Sequence, residues 1–279
     1  MINVMLCGNS GVFDGILTCA LSIMKRSRLD EAVSFYILTM DATHIDKKYT
    51  PVSEKQRDFI SRVIRSYRAD NKVKLIDVTE LYKKEFGGCP NESAYCSPYT
   101  LIRLLADKLE AIPDKLLYLD ADVMFNRDIA LLYNIDVEGV QYAAARDHYG
   151  KYLVYPNYIN AGVLLLNMKR IREDGTFEAA RAWLRKKKLR FADQSALIRS
   201  TKKKRMLAQK FNDQKFLHRH TVVRHFSKRL FWLPYPHTEN VKQWHIERLH
   251  KLFGYRNFDD VLCEYVALRE NFRRENAYE

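Results

Sequence analysis

Nearly continuous apolar runs alternate along this chain with stretches whose apolar residues recur every three or four positions. Ile2–Cys7 is a short apolar run that ends at Gly8-Asn9-Ser10-Gly11, and residues 12–25 then read as an amphipathic helix. Residues 33–40, rich in Val, Phe, Tyr and Ile, form a second strand-like run. Residues 51–68 are helical in pattern, with Phe59, Val63, Ile64 and Tyr67 at three- and four-residue spacing. Residues 73–78 make a third strand. Ser97-Pro98 supplies an N-cap followed by a first-turn proline, which predicts a helix through Ala111 with a core stripe of Leu101, Leu104, Leu105 and Leu109. Lys115–Leu119 is a fourth strand, stopped by Asp120-Ala121-Asp122.

This β-α-β-α-β-α-β order predicts an α/β fold: a Rossmann-like, mostly parallel sheet covered by helices. Such sheets bind ligands at the carboxyl ends of their strands. Two loops belong to that edge, residues 8–11 and 120–122. The second half mixes strands at 140–146 and 158–167 with helices near 170–188 and 193–200. A loop-rich basic stretch follows from Lys202, and a helical tail begins near Asn257. No low-complexity linker divides the halves, so the expectation is one domain over 1–279 with a decorated C-terminal part.

Composition narrows the partners. The 279 residues carry 47 Lys+Arg against 34 Asp+Glu, a formal net charge of +13, which favours an anionic partner such as a nucleotide, a nucleic acid or an acidic membrane surface. Ten Gly and seven Pro exclude collagen-like and linker-dominated chains, and 47% apolar residues suffice for a packed core. Cys7, Cys19, Cys89, Cys96 and Cys263 are scattered and contain no Cys-x-x-Cys pair. That pattern supports neither a disulfide framework nor a zinc site and suits a reducing compartment. The longest largely apolar stretches, near 15–24 and 159–168, reach about half a membrane span. Met1 leads into the first strand without a basic n-region or a cleavage site. The expectation is a soluble cytoplasmic protein.

An Asp-x-Asp triplet is common by composition, so its position carries the information. Asp120 and Asp122 emerge where a buried strand ends at the ligand edge, and residues i and i+2 of an extended segment point the same way. Carboxylates so placed suit a divalent cation shared with a diphosphate; a solvated strand-end turn is the other reading of the same residues.

Arg103-Leu-Leu-Ala-Asp-Lys-Leu, Lys115-Leu-Leu-Tyr-Leu-Asp120-Ala121-Asp122 and Tyr158-Ile-Asn160-Ala161-Gly162-Val-Leu-Leu-Leu-Asn167-Met resemble glycosyltransferase family 8. The resemblance extends to Asp193-Gln194, Phe211-Asn212 and His225-Phe226, and it spans roughly residues 2–230. It implies a GT-A fold and a retaining, nucleotide-sugar-dependent transferase similar to bacterial lipopolysaccharide galactosyl- and glucosyltransferases. Residues 1–125 would then be the nucleotide-binding half, 126–256 the sugar and acceptor half, and 257–279 the helical tail.

The same resemblance implies that Asp120, Asp122 and His225 hold Mn²⁺, or Mg²⁺, against the diphosphate of a UDP-hexose. Carboxylates with one imidazole are a donor set that suits Mn²⁺. Cys7, Gly8, Asn9, Arg103, Ala121, Asn160 and Ala161 would line the donor site. Asp147 would grip the donor sugar's hydroxyls, for which a carboxylate is a natural acceptor. Gln194 would lie opposite the leaving group. Asp193, beside it, is expected to cap the helix it opens, since Asp is a good N-cap.

The chain departs from the family pattern twice. Gly8-Asn9-Ser10-Gly11 stands where relatives carry an acidic cluster and an aromatic residue. The late His-x-x-Gly-x-x-Lys-Pro-Trp motif reads His225-Phe-Ser-Lys228-Arg-Leu-Phe-Trp232, which leaves Lys228 or Arg229 to meet the departing diphosphate. The basic runs at 185–190 and 202–205 are solvated faces or contacts to an anionic membrane surface or an acidic acceptor. Aromatic residues do not interleave with them as base stacking needs, so nucleic acid is not an expected partner. The sequence thus points to transfer of glucose or galactose from a UDP-sugar to a glycan or glycolipid. Rival readings are a sugar-nucleotide pyrophosphorylase, for which residues 8–11 lack the basic residue, and a basic polyanion- or membrane-surface-binding protein without turnover.

Overall fold

The computed structural model describes residues 1–28, 30–92 and 97–276; Cys96 lies outside them. In chain order the elements are β1 (Ile2–Cys7), α1 (Phe13–Arg26), β2 (Val33–Thr39), α2 (Glu54–Tyr67), β3 (Lys72–Asp77), α3 (Thr79–Phe86), β4 (Lys115–Leu119) and β5 (Val123–Phe125). There follow α4 (Ala130–Tyr133), β6 (Tyr142–Arg146), α5 (Gly150–Leu153), β7 (Ile159–Asn167), α6 (Met168–Glu173), α7 (Thr176–Lys186), α8 (Ala192–Ser200) and β8 (Lys204–Leu207). The last are β9 (Val223–His225), β10 (Arg229–Phe231), β11 (His237–Glu239), α9 (Ile246–Phe253) and α10 (Asp259–Glu275).

A seven-stranded sheet in the order β3-β2-β1-β4-β7-β6-β8 forms the centre. Strands β1 to β4 are mutually parallel, and β6 pairs in parallel with β8. Only β7 runs against its neighbours. The mostly parallel expectation holds. Central strands read as continuous apolar runs because helices cover both faces; every residue of β2 is buried. Two apolar clusters fill those faces, one around Val4, Leu6 and Ile16, the other around Met5, Leu38 and Leu116.

Helix α2 starts after Ser53, whose hydroxyl accepts from the Gln56 N–H while the Gln56 side chain returns the bond. Pro51 therefore lies outside the helix. The helical tail packs on α1 through Lys25–Glu264 (2.8 Å), Arg26–Asp260 (2.6 Å) and the Phe13 and Phe272 rings, 4.6 Å apart. Among the described residues no helix is long and apolar enough to cross a membrane.

Three local expectations need correction. Residues 98–108 form two 3-10 turns, Pro98–Thr100 and Ile102–Lys108, in place of the α-helix expected from 97 to 111. The carbonyls of Thr100 and Leu104, which an α-helix would use internally, accept instead from the guanidinium groups of Arg103 and Arg181. The helix expected over 170–188 is two, α6 and α7, broken at Gly175, whose φ of 63° is a left-handed turn. The basic stretch after Lys202 holds β8 and β9. Several of its cations are engaged within the fold, as in Lys204 to Tyr155 (3.2 Å) and Arg205 to the Asp136 carbonyl (2.9 Å).

Candidate active site and metal centre

Strand β4 ends at Leu119 in the middle of the sheet, so Asp120 is delivered to its carboxyl edge. The Asp120 N–H donates to the Gly162 carbonyl (2.8 Å), and β5 begins at Val123. Strand β5 pairs antiparallel with β9, setting Val123 opposite His225. That ladder, between segments a hundred residues apart, brings the histidine to the two aspartates. Donor atoms of Asp120, Asp122 and His225 lie within 4.8 Å of one another.

Each aspartate commits one oxygen to the protein and turns the other to the histidine. Asp120 Oδ1 accepts from the Tyr118 hydroxyl (2.6 Å) and faces Arg103 Nη2 (3.3 Å), while Oδ2 lies 3.8 Å from His225 Nε2. Asp122 Oδ2 pairs with Lys242, and Oδ1 lies 3.1 Å from His225 Nε2 without a hydrogen bond of good geometry. Burial works to raise the Asp122 carboxyl, but Lys242 and His225 beside it hold it below the usual carboxylate range.

A chain of amides fixes the histidine's proton. The Gly162 N–H donates to Asn160 Oδ1 (3.0 Å), so that atom is an acceptor, and Asn212 Nδ2 donates to it as well (2.9 Å). Asn212 Oδ1 is then left to accept from His225 Nδ1 (3.0 Å). With the proton on Nδ1, the Nε2 lone pair faces the aspartates. Three lone-pair atoms converging without a proton between them fit a divalent cation, and oxygen with one imidazole is a donor set for Mn²⁺ or Mg²⁺. Gly162 keeps the cradle open: a Cβ there would stand 2.7 Å from Asp120 Oδ2 and against the His225 ring.

The triad sits in a cleft of about 620 Å³. Its lining comes from the end of β1 and the loop after it (Cys7, Gly8, Asn9 and Val12), from Asn160 and Ala121, and from a later segment that supplies Ser227, Lys228, Asn240 and Lys242. Arg103 does not line the cleft. It is buried beneath it, stacked 4.1 Å over Tyr118, with Nε donating to the Thr100 carbonyl (2.9 Å) and Nη1 to Ala161.

Asp193 departs from the expected N-cap. Helix α8 starts one residue earlier, and the Asp193 carboxylate turns inward to Arg103 Nε at 3.2 Å. Burial raises the Asp193 carboxyl despite that partner. Gln194 Oε1 accepts from the Ala161 N–H (3.0 Å). Asp147 accepts from the Tyr149 and Gly150 N–H groups (3.0 and 2.6 Å) and from Asn160 Nδ2 (2.9 Å), so Asn160 joins it to the cleft.

Sequence reasoning missed Lys242. Its neighbours brace the same turn: Gln243 Nε2 donates to the Ala121 carbonyl (2.8 Å) and to Thr18 (3.0 Å). Gly15 lets Trp244 and the Ala121 carbonyl approach α1, since a Cβ there would meet them at 2.7 and 2.6 Å. Lys242-Gln243-Trp244 has the Lys-x-Trp pattern that ends the late motif, with the β10–β11 hairpin lying between it and His225. A search that allowed for an insertion would have found it.

The family described as glycosyl transferase family 8 matches residues 3–219. This chain belongs to it. A Haemophilus influenzae protein (strain Rd) named "Putative glycosyltransferase" is 27% identical over 188 residues, 63% of this chain and 52% of that protein. The chain thus spans about half the length of that curated relative. Among solved structures, an active-site glutamine-to-glutamate mutant of LgtC superposes with a TM-score of 0.68 at 19% identity, covering 97% of this chain and 96% of that one. The galactosyltransferase LgtC in complex with donor and acceptor sugar analogues gives 0.64 at 20% identity, covering 94% and 100%. At such identities these two show a shared fold.

Proposed function

We propose that this family 8 member is a metal-dependent, retaining hexosyltransferase that moves glucose or galactose from a UDP-sugar to a hydroxyl of a glycan or glycolipid. The observation that carries the reading is the convergence of Asp120, Asp122 and the His225 Nε2 lone pair on one side of a cleft with Lys228 and Lys242 in its wall. A bound divalent ion would neutralise the donor diphosphate and stabilise UDP as it leaves. Lys242 and Lys228 add fixed positive charge for the same phosphates. Cys7, Gly8, Asn9 and Ala121 form the wall for nucleoside and ribose, and Asn160, steadied by Asp147, presents an amide to the sugar.

Retention, which the family resemblance implies, is supported by which groups are free to take a proton. An inverting enzyme needs a general base opposite the leaving group. Among the described residues the carboxylates lining the cleft are Asp120 and Asp122, both turned to the metal position. Asp193 is tied to Arg103, and Gln194 is an amide that takes no proton at neutral pH. The Gln194 carbonyl, held by the Ala161 N–H, is the group left to face a cationic sugar ring. Hydrolysis of UDP-glucose and UDP-galactose, assayed with Mn²⁺ and with EDTA, tests donor and metal together. Metal-dependent release of UDP is expected. Equal UDP affinity with and without chelator would overturn the metal reading, and a β-linked first product from an α-linked donor, by proton NMR, would overturn retention.

A further inference from the structure

The hairpin inserted before Lys242 rises from the rim of the cleft: Ser227 and Lys228 before it and Asn240 after it line the cavity. Its stem is packed, with Phe231 stacked on Phe253 at 6.4 Å and the Arg229 guanidinium 4.9 Å over Phe231. Its tip buries little. Trp232 is 70% exposed, Leu233 83% and Tyr235 65%. Two neighbouring segments are tied to the stem and share this character. The Leu230 N–H donates to the Tyr149 hydroxyl (3.0 Å), just ahead of exposed Tyr152 and Leu153. Arg229 Nη1 donates to the Lys215 carbonyl (3.1 Å), beside exposed Phe216.

Charge identifies what such a ledge fits. Residues 148–155, 214–222 and 226–239 contain Lys151, Lys215, Arg219, Lys228 and Arg229 against a single acid, Glu239, which pairs with Arg248. A second copy of the chain would set these cations against each other. A free glycan would want aromatic faces with carboxylates or amides, whereas Leu153 and Leu233 offer neither. Trp and Tyr at an apolar–polar boundary, aliphatic side chains among them and cations around them are the composition of a bilayer interface.

We infer that this ledge docks on an anionic lipid surface, with the β10–β11 tip entering the headgroup region and the cleft mouth held at the membrane. The inference stands apart from the donor and metal assignments. It moves the surface contact from the basic runs at 185–190 and 202–205 to the cleft rim.

The test is co-sedimentation of the full chain with vesicles of phosphatidylcholine plus phosphatidylglycerol and of phosphatidylcholine alone. Wild type is expected to bind the anionic vesicles preferentially, with its tryptophan emission quenched by brominated lipid. The triple variant Trp232→Ser, Leu233→Ser, Tyr235→Ser should bind at least ~10-fold more weakly. Its melting temperature should be unchanged, since the tip contributes little to the core. Replacing Lys186, Lys187 and Lys188 by Gln should leave binding near wild type. Failure of wild type to bind anionic vesicles, equal binding by the triple variant, or loss of binding only in the lysine variant would overturn the inference. So would a tip-dependent dimer in sedimentation velocity without vesicle binding.

Discussion

Removing the Asn212 side chain should uncouple the histidine from the metal position without touching any ligand. Asn212 is fully buried and joins His225 Nδ1 to Asn160 Oδ1. In Asn212→Ala the Asn160 oxygen keeps the Gly162 N–H, so the group left stranded is the imidazole N–H. An unmatched buried donor costs about 1–3 kcal/mol. The ring escapes that cost by moving its proton to Nε2, where a small rotation lets it donate to Asp122 Oδ1, 3.1 Å away. Metal binding must then reverse the tautomer. At 1.4 kcal/mol per factor of ten, Mn²⁺ affinity should fall roughly 10- to 100-fold, the scale seen when support for a ligating histidine is lost. Asn212→Asp keeps an acceptor for Nδ1–H but cannot donate to Asn160, so it should hold Mn²⁺ within about threefold of wild type. Its melting temperature should drop by a few degrees. Calorimetric titration of Mn²⁺ into the three proteins, each checked by thermal melting, decides the matter. Equal affinity in Asn212→Ala and wild type, or equal loss in Ala and Asp, would refute the relay.

Asp120→Asn or Asp122→Asn should lower turnover by at least ~100-fold, measured as UDP released at saturating Mn²⁺. Lys242→Met removes a cation that shares Asp122 with the metal. Mn²⁺ affinity without nucleotide should rise roughly three- to tenfold while UDP affinity falls, a split that calorimetry reads directly and that a purely structural lysine would not produce. Away from the cleft, Arg181 is 1% exposed between Asp107 (2.6 Å), Glu85 (3.3 Å) and Glu178 (2.5 Å). Arg181→Ala would take the guanidinium from Asp107 and from the Leu104 carbonyl, while Glu85 keeps Arg185 and Lys108, so a loss of about 1–3 kcal/mol is expected in urea unfolding, and no measurable loss would contradict it.

Much of the sheet could be read along the chain. Strands β1 and β4 fall where nearly continuous apolar runs place them, because strands covered on both faces bury residues of both parities. The Asp120-Ala121-Asp122 turn was legible for the same reason: it ends such a run at the edge where parallel sheets bind ligands. The 3-10 geometry of 98–108 was not, since it depends on Arg103 and Arg181 taking carbonyls that local spacing assigns to a helix. Asp193 likewise had a good local claim to an N-cap, and a buried arginine from another segment outbid it.

The metal triad shows where the division falls. Periodicity and strand ends are local properties, so they determined the fold class and two of the three candidate ligands, and the family resemblance added His225. The third ligand depends on the three-residue β5–β9 ladder, and its proton on an amide chain through Gly162, Asn160 and Asn212. Lys242 reaches Asp122 from beyond an inserted hairpin. Strands of three residues have too little periodicity to be seen, and hydrogen bonds between distant segments leave no spacing in the sequence. Those contacts exist only once the sheet has brought the segments together: local spacing favours none of the eight histidines, the family resemblance named His225, and tertiary structure alone decided which lysine stands beside the aspartates.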